Sequence, residues 1–222
     1  STPMTATRPS LLLRLMLTWI AAALSMPVLA QAPTNIRAQL IAEHVAPAPG
    51  GATTLALFMT PAPGWHGYWK NGGDAGFGME VEWDLPDGVT VDPLRYPVPE
   101  PLTLFGLMNH VYKAPYALLA RVTVAGGVAP GTDLSLSGRA RWLACTDTIC
   151  VPESALVAVR LTAGDGAAAS GDARFDAWRA ALPPSLDRQG RWERRGKTLR
   201  IAIPIPATMP VPDPHLFLAT RG

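Results

Sequence analysis

The sequence predicts an all-β protein, a β-sandwich, on three observations. Roughly eight short segments with strand character recur about every 8–12 residues. Turn-forming Pro (23) and Gly (20) are abundant, yet 48% of the 222 residues are hydrophobic, a mixture that suits short strands joined by turns and does not suit disorder. No repeat of about 20–50 residues and no heptad pattern competes with that reading.

Residues 35–45 alternate, with Ile36, Ala38, Leu40 and Ala42 on one face and Arg37, Gln39 and Glu43 on the other. A Pro- and Gly-rich turn at 47–51 leads to a strand at 53–60. Pro61, Pro63 and Gly64 break it before an aromatic strand at 65–69. Asn71, Gly72, Gly73, Asp74 and Gly76 form a long turn signal, followed by a strand at 79–84 and the turn Pro86-Asp87-Gly88.

Between 94 and 107 the pattern turns irregular. Pro97, Pro99 and Pro101 at alternate positions remove ladder donors, so an extended loop crossing the domain is expected. Its apolar stretch, 102–108, is too hydrophobic for a solvated loop and should cover something. Strands resume at 109–113, 116–124 and 132–142, where Leu134, Leu136, Gly138, Ala140 and Trp142 share a face, and again at 155–161. The immunoglobulin Cys…Trp…Cys spacing is absent, because the two cysteines are too close in sequence to bridge two sheets.

The sandwich thus occupies 31–162, and an Ala-, Gly- and Ser-rich linker occupies 163–171. A short helix is expected within 172–182, with Phe175, Trp178 and Leu182 on one side, Asp172 as N-cap and Pro183-Pro184 as the stop. A hairpin over 192–205 turns at Arg195-Gly196. Helix and hairpin make 172–222 read as the start of a second β lobe, cut short.

The first 30 residues read as a signal peptide. Arg8 and Arg14 flank the start of an apolar run at 15–29, and Val28-Leu29-Ala30 places cleavage after Ala30. An uncleaved anchor is the competing reading, but a span takes about 20 apolar residues. The mature chain is therefore expected to be exported, which in a bacterium means the periplasm, where disulfides form. The chain has 19 basic and 17 acidic residues, and losing Arg8 and Arg14 leaves 17 of each sign. A neutral chain with no basic block offers nucleic acid nothing to bind.

Chemistry concentrates in Arg141-Trp142-Leu143-Ala144-Cys145-Thr146-Asp147-Thr148-Ile149-Cys150-Val151-Pro152-Glu153, which holds both of the chain's 2 cysteines. As a staple the pair is weak. Closing a loop of about six residues contributes roughly 2 kcal/mol, against about 4.7 for a 100-residue loop. Small polar Thr146, Asp147 and Thr148 suggest an exposed loop and a bond open to an incoming thiolate. Activation is the weaker side of that reading. Asp147 and Glu153 disfavour a thiolate, and Arg139 and Arg141 are the nearby cations, which predicts a pair that depends on its partner. The residues alone leave two functions open: thiol–disulfide exchange, or a structural β-sandwich binding module with an inert local disulfide.

Three stretches carry a resemblance. Trp142-Leu143-Ala144-Cys145 with Ile149-Cys150-Val151-Pro152-Glu153, the run from Pro63 through Trp65-His66-Gly67-Tyr68-Trp69 to Gly76, and Tyr96-Pro97-Val98-Pro99-Glu100 resemble the N-terminal domain family of DsbD and ScsB. The likeness covers roughly 35–165, and the helix and hairpin after it suit the ScsB-like branch. It implies an immunoglobulin-like periplasmic domain with Cys145 and Cys150 as a redox pair, part of a protein-disulfide reductase. A membrane electron-transfer domain, in the same or a separate chain, would reduce the pair, which would then reduce periplasmic thioredoxin-like proteins or disulfide isomerases. ScsB-like members are associated with copper tolerance. By the same analogy Cys150 attacks the partner and Cys145 resolves. The family's cap loop falls on Leu104, Phe105 and Gly106, with Phe105 as the shield, although Leu102-Thr103-Leu104 stands where better-known members carry acidic residues.

No cofactor is expected. His66, His110 and Met108 with the cysteines have donor types suited to Cu(I), but their spacing does not support a site, and no metal is expected. Trp65, Tyr68, Trp69 and Trp83 read as core packing. Asn71-Gly72-Gly73-Asp74 precedes no helix and so is not a phosphate loop, and no Ser sits in a nucleophile elbow.

Overall fold

Strand parity organises the molecule. A computed structural model describes residues 34–166, 172–185, 188–211 and 214–219. The expected signal peptide at 1–30 lies outside the described residues, as does 167–171 of the expected linker. The strands are β1 (Ile36–Ala42), β2 (Ala52–Pro61), β3 (Gly67–Gly73), β4 (Glu80–Asp84), β5 (Val89–Val91), β6 (Glu100–Leu104), β7 (Leu107–Tyr112), β8 (Tyr116–Val124), β9 (Asp133–Cys145) and β10 (Cys150–Thr162). Helix α1 (Arg174–Ala180) and the hairpin β11 (Arg191–Arg195) and β12 (Thr198–Ala202) follow.

Two antiparallel sheets, ordered β1-β2-β8-β5 and β10-β9-β4, face each other as an immunoglobulin-like β-sandwich. Ile36, Leu40, Leu55, Leu57, Met59, Leu118 and Val122 enter the core from the first sheet, and Leu134, Leu136, Ala140, Trp142, Val157 and Leu161 from the second. Their period of two is the one the sequence displays. A third sheet, β3-β7-β6, joins the sandwich where His66 forms an antiparallel bridge to Cys145.

The long loop expected at 94–107 is not all loop. Residues 100–104 form β6, paired with β7 from Glu100 opposite Val111 to Leu104 opposite Leu107. Pro101 is tolerated because β6 is the outer strand of its sheet, so the ladder does not need its missing N–H. The turn expected at 71–76 also begins late, since Asn71 to Gly73 belong to β3 and its pairing with β7 shifts register between Tyr68 and Gly73.

Helix α1 covers the outer face of the first sheet. Phe175 (0% exposed) and Leu182 pack on Ala56, Ala117 and Leu119, and Trp178 lies 5.3 Å from the Phe58 ring. Asp172 acts just ahead of the helix, its Oδ1 accepting the Arg174 N–H at 3.0 Å. At the other end the Arg179 guanidinium donates to both carboxylate oxygens of Glu43, at 2.9 and 2.8 Å.

Candidate functional site

Cys145 ends β9 and Cys150 begins β10, directly opposite each other in a hairpin that stays in register over thirteen pairs. The Cys145 N–H donates to the His66 carbonyl at 3.1 Å, and its carbonyl accepts the His66 N–H at 2.8 Å. With its backbone groups turned to His66, Cys145 meets Cys150 as a non-hydrogen-bonded pair, the type whose side chains approach most closely. The Cα atoms are 4.1 Å apart, and the two sulfurs are joined in a disulfide.

The turn between them is self-contained. The Thr146 N–H donates to the Ile149 carbonyl at 2.8 Å, and the Thr146 hydroxyl accepts the N–H groups of Thr148 and Ile149 at 3.3 and 3.2 Å. Asp147, Thr148, Ile149 and Cys150 are exposed, whereas Cys145 is 1% exposed. The pair is therefore asymmetric, one sulfur-bearing residue facing solvent and the other packed inside.

Parity explains the burial. Trp142 and Ala144 point into the sandwich core, while Leu143 and Cys145 point the other way into a smaller cluster with Tyr68 and Val111, flanked by Phe77 and Leu102. The Tyr68 hydroxyl lies 3.2 Å from Cys145 Sγ and donates to it. Gly76 makes room for this tyrosine: a Cβ there would lie about 2.1 Å from the ring carbons. His66, two residues before Tyr68, is 2% exposed, and its ring meets the Tyr68 ring edge-on at 5.5 Å. Its Nε2 is buried and has no hydrogen-bond partner. Burial, helped by Lys113 and opposed by Asp147, holds the His66 imidazole below its usual pKa. Burial also pushes the Tyr68 hydroxyl up, so it remains a donor at neutral pH.

The charges expected to act on the cysteines are placed differently. Glu153 lies opposite Trp142, on the core side of the hairpin. Its Oε1 accepts from Asn35 N and Nδ2 at 2.6 and 2.8 Å, and its Oε2 accepts from Ile36 N and Trp142 Nε1 at 3.1 and 2.9 Å. It is an anchor for the start of β1 rather than a neighbour of the sulfurs. Arg141 stands four residues along the strand from Cys145, about 13 Å at strand rise, and approaches Glu82 at 3.7 Å. Asp147 alone remains close, and it acts on His66.

Leu104, Phe105 and Gly106 form the tip of the β6–β7 hairpin, with Phe105 and Gly106 as its two loop residues. Both have left-handed backbones, φ 52° and 81°. Phe105 is 86% exposed, so the packing around Cys145 comes from the middle of the same hairpin, through Leu102, and from Phe77. The structure thus joins Cys145 to Cys150 and leaves Phe105 projecting.

Sequence reasoning missed Tyr68 and His66 as parts of this site. Their spacing of two puts them on one face of the aromatic segment, but which face meets the cysteines depends on the bridge to Cys145, a contact across 79 positions that local pattern does not encode. His66 and His110 serve separate places, His66 beside Tyr68 and His110 beside Trp69, with its Nδ1 3.0 Å from the Asn71 carbonyl. Among the described residues no group of three or more His, Cys, Asp or Glu is arranged to hold a metal ion.

Comparison with known proteins places this geometry. The family model for the N-terminal part of thiol:disulfide interchange protein DsbD matches residues 37–161, more than half of the chain. Among solved structures, the N-terminal periplasmic domain of ScsB from Proteus mirabilis is similar, with a TM-score of 0.52 and 18% identity. That match covers 80% of this chain and 66% of that one, and the likeness is one of fold. The Neisseria meningitidis DsbD N-terminal domain in its reduced form matches 64% of this chain and 94% of its own, at 15% identity and a TM-score of 0.29. No curated protein matches the chain.

Proposed function

The chain belongs to the DsbD N-terminal family of thiol:disulfide interchange proteins, and from that premise we propose that it carries reducing equivalents between two protein partners through Cys145 and Cys150. A membrane electron-transfer domain, in the same or a separate chain, reduces the pair. The dithiol then reduces a periplasmic thioredoxin-like protein or disulfide isomerase, which makes the chain a component of a protein-disulfide reductase. The chemistry needs only the two sulfurs and no bound cofactor.

The observation that carries this reading is the asymmetry of the pair, with Cys150 exposed and Cys145 buried against the Tyr68 hydroxyl. Exchange proceeds through a mixed disulfide whose formation depends on which sulfur an incoming group can reach and on how well the departing thiolate is stabilised. Cys150 offers the access. In the reducing direction its thiolate attacks the partner disulfide, one partner sulfur leaves as thiolate, and Cys145 then closes on Cys150 and releases the second. Phe105 at the hairpin tip is the proposed shield: it projects, 86% exposed, and leaves Cys150 open here, so gating against small oxidants requires the β6–β7 tip to swing over Cys150 between partners. A bulky residue at positive φ, where Asn or Gly fits better, supports a role for the ring that folding does not require.

Equilibration with glutathione buffers tests the reading. A pair half-reduced at a potential above about −300 mV is expected, whereas a structural disulfide lies below that value. A Cys145→Ser chain is expected to trap a mixed disulfide through Cys150 with a thioredoxin-like protein. A more negative potential together with no trapped species would leave the inert-disulfide module as the better reading.

A further inference from the structure

One titratable group at the site has no structural task. His66 is buried, and both of its backbone groups pair with Cys145. Directly paired residues of antiparallel strands project their side chains from the same face as close neighbours. The ring rests edge-on against Tyr68, whose hydroxyl touches Cys145 Sγ, and Nε2 is enclosed without a partner. A residue chosen only to fill this space would be apolar, because an unpaired buried polar atom costs stability. Tyr68 meets the imidazole edge-on from β3, Cys145 is the backbone partner of His66 on β9 and carries Cys150 across the disulfide, and Asp147 in the turn and Lys113 just past β7 act on the ring by charge. The Tyr116 hydroxyl lies over the neighbouring Gly67, the residue that alternation turns to the opposite face.

We infer that His66 is the proton partner of Cys145 in thiol–disulfide exchange. The inference rests on the proposed function and assigns the residue that manages the proton of its buried thiol. In the mixed disulfide, Cys150 Sγ is bonded to a partner sulfur and Cys145 is a thiol. The Cys145 proton passes to the neutral imidazole, and the thiolate attacks Cys150 Sγ. The Cys145–Cys150 bond forms, and the Cys150–partner bond breaks with its electron pair on the partner sulfur. Over the two exchanges together the chain is oxidised by two electrons and the partner is reduced by two, and the imidazolium loses its proton to solvent at the exposed Asp147 turn. In reverse, a thiolate attacking Cys150 expels Cys145 as a thiolate, to which the Tyr68 hydroxyl donates; the neutral imidazole takes a proton from solvent at the Asp147 turn and passes it to the thiolate. A buried, neutral imidazole is a competent acceptor at neutral pH.

Two measurements on the chain test this. In the first, the His66 ring is titrated by NMR in the disulfide and dithiol forms of the unaltered protein. Because coupling between two sites is reciprocal, the His66 midpoint is expected to move by roughly half a pH unit or more between forms. In the second, Cys150 is loaded with glutathione, and release of glutathione by Cys145 is followed against pH in wild type and His66→Gln. The variant is expected to release it roughly tenfold more slowly near neutral pH and to lose the inflection due to the imidazole. Superimposable His66 titrations in the two forms overturn the inference, as does a His66→Gln profile parallel to wild type. Should His66→Gln not fold, the NMR titration decides alone. A pair that never opens in glutathione buffer defeats the proposed function and this inference together, whereas a pair that opens with unchanged His66 titration defeats this one alone.

Discussion

The two faces of the cysteine hairpin are built on opposite terms. On the core side, Glu153 and Trp142 sit opposite each other, and the Glu153 carboxylate accepts four hydrogen bonds that tie β10 to Asn35 and Ile36. On the other side, Cys145 and Tyr68 share a small cluster in which one contact is a hydroxyl on sulfur, and the His66 ring beside Tyr68 has a buried nitrogen without a partner. The first face has its polar groups satisfied and gains nothing by changing. The second holds polarity in reserve for a thiol or thiolate that exists only when the disulfide opens. A single pair of strands thus separates holding from reacting by the alternation of its side chains.

The comparison can be broken from either side. Removing the Glu153 carboxylate with Glu153→Ala strands the Asn35, Ile36 and Trp142 donors and should cost about 3 kcal/mol in urea unfolding. The exchange rate of the folded protein should stay within about twofold of wild type, the two faces being independent beyond the shared strands. A large fall in that rate would show that they are not. Gly76→Ala presses a methyl against the Tyr68 ring, and overpacking of this kind costs about 1–3 kcal/mol. Here thermal stability and exchange should change together, because the displaced ring carries the hydroxyl on Cys145.

Tyr68→Phe sharpens the contrast further, changing stability by about 1 kcal/mol or less while slowing reaction with glutathione disulfide roughly tenfold. Phe105→Asn has the opposite sign. Relief of the left-handed conformation should raise stability by about 1 kcal/mol, and oxidation of reduced Cys150 by small oxidants should speed up, an unchanged rate showing that the ring is no shield. The smallest effect is in pH. Below about 6.5 an unfolded histidine takes up a proton that buried His66 resists, so stability should fall with falling pH and level off once the folded imidazole protonates as well. Unfolding midpoints of wild type and His66→Gln across that range isolate the contribution.

Much of this was legible in the chain. The alternation of Leu134, Leu136, Ala140 and Trp142 identified a core-facing strand, and that parity carried on to Cys145 puts the cysteine on the opposite face. Residues 116–124 read as one strand and are one. What was not legible was long-range. Pro101 suggested a loop because a single sequence does not reveal which strand lies at a sheet edge, where a missing N–H is harmless. Glu153 looked like an electrostatic neighbour of Cys150 because three residues is a short step in sequence, yet a strand turns alternate side chains to opposite faces. Tyr68 looked like packing, which it is, and its hydroxyl becomes chemical only because the bridge between His66 and Cys145 brings two sheets together.

Helix α1 leaves a signature in the strand beneath it. From Tyr116 to Ala120 every residue of β8 is buried whichever face it takes, since the sandwich core lies under one set and α1 over the other, and at Arg121 exposure returns. A saturation mutagenesis map should therefore show two regimes within one strand. Across the first five positions polar substitutions would be rejected without periodicity, and beyond them tolerance would alternate, as it should along β10. The change from one regime to the other marks the helix's footprint, so selection data from living cells could locate α1 without any coordinates.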